Sequence, residues 1–163
     1  MKKRIAIVPG SFDPITFGHI DIVKRALKEY DSVVLAVMIN PAKEYLFSIE
    51  ERKAIAEIAL RPYENATVIS SEGMLWKLAK DIGACAIVKG YRNQTDYQYE
   101  QEMAKFNTEH NPDAPTVLYQ ANSALEQLSS TVVRERIQNG LSLHGFLPDE
   151  AIEHIEAILS SRN

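Results

Sequence analysis

One histidine stands out by its place. His19 ends the run Pro9-Gly10-Ser11-Phe12-Asp13-Pro14-Ile15-Thr16-Phe17-Gly18-His19, which joins an apolar strand, Ile5-Ala6-Ile7-Val8, to an amphipathic helix. A chain entering a helix from such a turn presents free backbone N–H groups and the positive end of the helix dipole. Those are the conditions for binding an anion such as a phosphate, and His19 would sit beside it. The Ser11 hydroxyl can donate to a phosphate oxygen or hold the turn. Asp13 and Thr16 suit side-chain-to-backbone bonds that keep the loop in shape. Far along the chain, Ser129-Ser130-Thr131 puts three hydroxyls at another helix start. That is ordinary capping chemistry and also a second phosphate cradle. Two such starts on one crevice can hold a triphosphate between them.

The elements that must position these residues follow from the hydrophobic pattern. Arg4 to Val8 reads as a strand, and a helix begins near Phe17 with Ile20, Val23, Ala26, Leu27 and Tyr30 on its apolar face. Ser32–Ile39 is apolar on both faces, as a central parallel strand should be. Ser48-Ile49-Glu50-Glu51 is a capping box opening a helix to about Leu60. Thr67–Ile69 reads as a strand, Met74–Ile82 as a helix stopped by Gly83, and Cys85–Val88 as the fourth strand. A loop, Lys89-Gly90-Tyr91-Arg92-Asn93, leads to a helix from about Asp96 to Glu109. Thr116–Tyr119 is the fifth strand, a helix runs from Ser129 to about Asn139, and Pro148-Asp149-Glu150 opens the last one.

Strands alternating with helices predict an α/β fold: one Rossmann-like domain spanning residues 1–163, a five-stranded, mostly parallel sheet with helices on both faces. In such sheets ligands bind outside the carboxyl ends of the strands. The unusual loops follow strands one, two, four and five, so the topology gathers the Gly10–His19 run, Lys43, Lys89–Arg92 and Ser129–Thr131 at one crevice.

Composition narrows the function classes. The 163 residues carry a formal charge of −4, without the basic excess of a non-specific nucleic-acid binder. A phosphorylated small substrate needs only a local cluster of cations. No apolar run is long enough to span a bilayer, and the run after Met1-Lys2-Lys3-Arg4 is too short for a signal-peptide core. The single Cys85 rules out an internal disulfide and fits a reducing, cytoplasmic setting. There is no G-x-G-x-x-G after the first strand, no P-loop, no zinc-ligand spacing and no nucleophile elbow. His110, His144 and His154 sit in polar contexts and receive no role.

Gly10-Ser11-Phe12-Asp13-Pro14 followed by Thr16-x-Gly18-His19 resembles the signature of the nucleotidyltransferases that use a (His/Thr)-x-Gly-His motif. Ile15-Thr16-x-Gly18-His19-Ile20-Asp21 is most similar to the phosphopantetheine adenylyltransferase family. Leu128-Ser129-Ser130-Thr131-Val132-Val133-Arg134 resembles the superfamily's second motif. The resemblance implies adenylyl transfer from ATP to 4′-phosphopantetheine, giving dephospho-coenzyme A and pyrophosphate. It implies that His19, Lys43 and Arg92 are the catalytic residues, His19 stabilising charge on the α-phosphate. Lys43 would bind the acceptor phosphate and Arg92 the ATP phosphates. Lys89 stands where the family's Arg-Gly-x-Arg segment has its first arginine, so it keeps the charge and loses the bidentate fork.

The same resemblance assigns ATP contacts to Ser11, Phe12, Gly90, Tyr91, Glu100, Leu125, Glu126, Gln127, Leu128, Ser129, Ser130 and Thr131. Ser11 also falls on the acceptor side, and Met74, Leu75, Met103, Phe106 and Asn107 would line the pantetheine arm. Magnesium would bridge ATP phosphates mostly through water. A homo-oligomer, a hexamer in the family, and coenzyme A as a feedback inhibitor are further implications. Competing readings are a sister enzyme acting on nicotinamide mononucleotide or glycerol 3-phosphate, a non-catalytic nucleotide sensor, and a structural subunit without a ligand.

Overall fold

The computed structural model describes residues 2–163. Five parallel strands form one sheet in the order β3-β2-β1-β4-β5. They are β1 (Ile5–Gly10), β2 (Ser32–Met38), β3 (Ala66–Ser71), β4 (Ala86–Tyr91) and β5 (Thr116–Gln120). The helices are α1 (Phe17–Leu27), α2 (Ile49–Ala59), α3 (Leu75–Asp81), α4 (Gln94–His110), α5 (Ser130–Gln138) and α6 (Asp149–Ser161). The predicted α/β architecture is present, with every strand pair parallel. A single 3-10 turn, Ser123–Leu125, precedes α5 and has no counterpart in the periodicity reading.

Alternation along the strands divides the core. Ala6, Val8, Val33, Leu35, Val37, Ala86 and Val88 face α1, α2, α5 and α6. Ile7, Ala36 and Ile87 point to the other face, toward Ala79 of α3, with α4 packed beside α3. Each central strand is therefore buried on both sides, which is why its sequence is apolar throughout rather than alternating.

Register explains where the sheet opens. β1 pairs with β2 along its whole length, from Ile5↔Ser32 to Gly10↔Val37. It pairs with β4 only at Ala6↔Ala86 and Ile7↔Ile87. Beyond those residues the two strands part at the point where strand order reverses, the usual ligand position in such sheets. Pro9 lies on this parted stretch, where its missing N–H costs no bond to β4. Lys89-Gly90-Tyr91, read above as a loop, instead continues β4, because Lys89, Gly90 and Tyr91 pair with Leu118, Tyr119 and Gln120 of β5. The polar composition of that stretch reflects its edge on the opening rather than an irregular backbone.

Candidate active site

The opening is a crevice of about 460 Å³. It gathers all four segments expected to meet there: Ser11 to His19, Lys43, Lys89 to Arg92, and Ser129 to Thr131.

The first segment is held in an unusual shape. Phe12 has a φ of +47°, and the Asp13–Pro14 peptide is cis. The left-handed backbone of a bulky residue is strained and persists only where its surroundings fix it. Here the Phe12 ring folds back over Gly10, where an added Cβ would lie 2.9 Å from the ring. The ring also meets His19 edge-on, 4.9 Å between centroids. Buried Asp13 accepts from the Leu46 and Phe47 amides at 2.9 and 3.0 Å, tying the turn to the chain after β2. This is the loop-holding role expected of it.

Thr16 is the N-cap of α1, and it closes a capping box in which the fourth member is His19. The Thr16 hydroxyl accepts from Gly18 N–H at 3.2 Å and donates to the Leu128 carbonyl at 2.6 Å. The Thr16 amide donates to Nδ1 of His19 at 3.0 Å. Since Nδ1 is an acceptor there, the neutral ring carries its proton on Nε2. Desolvation, with a smaller contribution from the Arg92 charge, holds the His19 pKa down to about 4. The ring is thus neutral at ordinary pH, lines the crevice, and offers one N–H to it.

The helix start itself differs from the sequence expectation. Phe17 N–H is taken by the Phe146 carbonyl at 2.8 Å and Gly18 N–H by Thr16. The α1 terminus does not present those amides to an anion; what it presents is the oriented imidazole. Gly18 is needed for close approach, because a Cβ there would sit 3.3 Å from the Leu128 carbonyl oxygen.

The α5 start is organised differently. Ser129 caps it, accepting from Val132 N–H at 3.1 Å. The Ser130 hydroxyl donates to the Pro14 carbonyl at 2.8 Å, and Thr131 Oγ1 accepts from Arg134 at 3.1 Å. Arg134 also donates to the Asp13 carbonyl at 2.9 Å. All three hydroxyl oxygens are engaged, but only Ser130 spends its proton; two of these links join α5 to the first motif. The Ser130 and Thr131 amides have no acceptor among the described residues, so these amides, with the Ser129 and Thr131 hydroxyl protons, remain available to an anion.

The cations are arranged unequally. Lys43 is exposed on its loop at the rim. Arg92 is largely exposed and lies 3.5 Å from Asp96. Lys89 is more buried and pairs with Glu100 at 2.6 Å, so the residue expected to contact nucleotide meets the one expected to grip the acceptor. The approach is off the hydrogen-bonding direction, which leaves that Glu100 oxygen without a well-aimed donor.

Phe12, Gly90, Tyr91, Leu125, Glu126 and Leu128 also line the crevice; Gln127 does not. Met74, Leu75, Met103, Phe106 and Asn107 lie outside its lining, on α4 and around the start of α3. Asp96, Glu100, Met103 and Asn107 nevertheless share one stripe of α4 by helical spacing, leading from the crevice outward. Met74, Met103 and Phe106 are exposed there, and Asn107 is buried.

Sequence reasoning passed over Arg52 and Tyr45, and named Arg134 only as the end of the second motif, without a role. The signal for Arg52 was available. On α2 the buried stripe reads Arg52, Ile55, Ala56, Ala59, a charge at an apolar position.

Similarity to known proteins agrees with this geometry. The cytidylyltransferase-like family model matches residues 7–136. A phosphopantetheine adenylyltransferase of Caldanaerobacter subterraneus is 41% identical over 152 residues, covering 93% of this chain and 95% of its own. One from Clostridium tetani is 40% identical over the same shares, 93% and 95%. One from Limosilactobacillus reuteri is 36% identical across 98% of this chain and 92% of its own. By that match and these identities over nearly the whole chain, the chain belongs to the phosphopantetheine adenylyltransferase family of cytidylyltransferase-like proteins.

Proposed function

We propose that the crevice transfers the adenylyl group of ATP to the phosphate of 4′-phosphopantetheine, giving dephospho-coenzyme A and pyrophosphate. The observation that carries this reading is a neutral His19, its proton fixed on Nε2, set between two helix starts on a crevice edged by lysine and arginine. An acceptor phosphate oxygen attacks the α-phosphorus of ATP, a P–O bond forms, and the bond to pyrophosphate breaks. The attacking phosphate is its own nucleophile, so the protein needs to position and stabilise rather than supply a base. His19 Nε2–H donates to the α-phosphate oxygen as charge builds there. The Ser130 and Thr131 amides and Arg92 hold the β- and γ-phosphates, Lys43 holds the acceptor phosphate, and Ser11 donates to the ATP phosphates while also facing the acceptor. Lys89 contributes to acceptor binding after exchanging Glu100 for a phosphate oxygen. The pantetheine arm runs out along the α4 stripe past Met103, Phe106 and Asn107, with Met74 and Leu75 opposite.

Magnesium enters this reading as a companion of the ATP phosphates. Asp13 already accepts two amides, and Asp96 and Glu100 each face a cation. Among the described residues no group of three or more metal-ligating side chains gathers, so the ion would be held chiefly by phosphate oxygens and water.

Among the described residues no helix is long and apolar enough to cross a membrane; a cytoplasmic location is our inference from the reaction and the single cysteine. The hexamer and feedback by coenzyme A rest on the family resemblance alone, and light scattering on the purified chain tests the first.

The test of function is pyrophosphate release with ATP and magnesium, offering 4′-phosphopantetheine, nicotinamide mononucleotide and glycerol 3-phosphate in parallel, with CTP in a second set. Release with ATP and 4′-phosphopantetheine only is expected. Release with another acceptor would keep the mechanism and reassign Lys43 and Lys89. ATP binding with no release would make the chain a sensor.

A further inference from the structure

Arg52 is a charged side chain inside the core, 1% exposed, on the buried stripe of α2. Among the described residues no carboxylate lies within 4.0 Å of its guanidinium. Its donors go to three backbone carbonyls: Ser11 at 2.7 Å, Met38 at 3.1 Å and Phe47 at 3.2 Å. These belong to the chain just after β1, the end of β2, and the residue before the α2 cap. One guanidinium therefore joins the Ser11 turn to both ends of the loop that bears Lys43. A buried cation is costly unless its donors are satisfied, and a lysine or an aliphatic side chain could not make this fork.

The Tyr45 ring lies on the guanidinium face, 3.9 Å from its centroid to the guanidinium carbon. Its hydroxyl oxygen accepts from Asn40 N–H at 2.8 Å and lies 3.3 Å from Ser11 Oγ. With the Asn40 amide donating to that oxygen, the Tyr45 proton is available for Ser11. Ser11's own proton is then left to point into the crevice.

We propose that Arg52 and Tyr45 are positioning residues that aim the Ser11 hydroxyl at a bound phosphate, Arg52 fixing the turn and the tyrosine ring, and Tyr45 orienting the serine proton. The inference rests on the crevice being a nucleotide phosphate site. It concerns residues that do not line the crevice themselves and act through Ser11.

The test is a double-mutant cycle on ATP affinity, measured by calorimetry with Tyr45→Phe, Ser11→Ala and the pair. Tyr45→Phe keeps the stacked ring and removes one hydroxyl, so the fold should persist with little change in Tm. A loss of roughly three- to tenfold in ATP affinity is expected with Ser11 present. In the Ser11→Ala background, Tyr45→Phe should cost nothing further. An equal loss in both backgrounds, or no loss in either, overturns the proposal. Arg52→Lys should weaken binding more than Tyr45→Phe, with part of that loss also disappearing in the Ser11→Ala background; a loss unchanged there would overturn its share of the role. Pyrophosphate release by the unaltered chain is measured alongside. Its absence would fail the transfer reaction, while the binding cycle stands or falls by itself.

Discussion

Two helices begin at the same crevice, and they use their first turns in opposite ways. At α1 the amides of Phe17 and Gly18 are consumed inside the protein, by Phe146 and Thr16. The terminus delivers a side chain instead, a histidine whose tautomer the cap fixes. At α5 only the Ser130 hydroxyl proton is spent, on Pro14; the Ser129 and Thr131 hydroxyls accept, from Val132 and Arg134, and keep theirs. That terminus offers its backbone amides and two hydroxyl protons. A helix start with hydroxyls is thus not read by counting them; where their bonds go decides which atoms remain for a ligand. In the proposed reaction the labour divides the same way: the α1 start would act on the charge that develops in transfer, and the α5 start would hold charge already present in ATP.

That division can be broken most readily at His19. His19→Ala should lower turnover by about 10²- to 10³-fold while ATP affinity changes by roughly threefold or less, since the lost donor acts mainly on developing charge. Parallel losses in kcat and in calorimetric affinity would place His19 on the ground state and erase the contrast between the two starts.

Next in size is Thr16→Val. It removes the hydroxyl that caps α1 and bonds to Leu128, the tie between the two motifs. A fall of about tenfold in turnover and ~1–2 kcal/mol in stability is expected, measured by steady-state rates and urea unfolding. Serine at the same position should restore most of both. If serine restores stability and not rate, the threonine methyl rather than the hydroxyl tie is what matters.

Ser129→Ala should be smaller and of another kind. Loss of the α5 cap costs ~1 kcal/mol of stability. Because the Ser130 and Thr131 amides remain, turnover should fall by no more than about threefold. A collapse in rate with an intact Tm would mean that this hydroxyl itself contacts phosphate.

A different kind of effect is the pH dependence of stability. His19 titrates near 6.5 when unfolded and at about 4 when folded. Between those values the unfolded chain binds more protons, so stability rises with pH across the window. His19's contribution is complete above 6.5 and is lost as pH falls toward 4. His19→Gln should therefore narrow the difference between urea midpoints at pH 7 and pH 5.

Much of this was legible in the chain. Apolar runs bounded by Pro and Gly located the strands, and Ser48 with Glu51 marked the start of α2, where the capping box forms. The convergence of four loops followed from topology alone. What stayed hidden depended on partners far apart in sequence. The bond between Thr16 and Leu128 spans 112 positions, and that between Ser130 and Pro14 spans 116. No local pattern reveals that such hydroxyls are already spoken for. The strand character of Lys89-Gly90-Tyr91 was hidden for a related reason, since its pairing with β5 is non-local and its composition is that of a ligand edge. Arg52 is the intermediate case. Its place on an apolar stripe was visible, and its three carbonyl partners were not.

The central claim is that α1 contributes a neutral imidazole with its proton on Nε2. Nitrogen-15 NMR of the His19 ring, followed from pH 5 to 8, tests it directly. The account predicts one neutral tautomer, protonated at Nε2, throughout that range. An imidazolium that persists at neutral pH, or a proton on Nδ1, would contradict it.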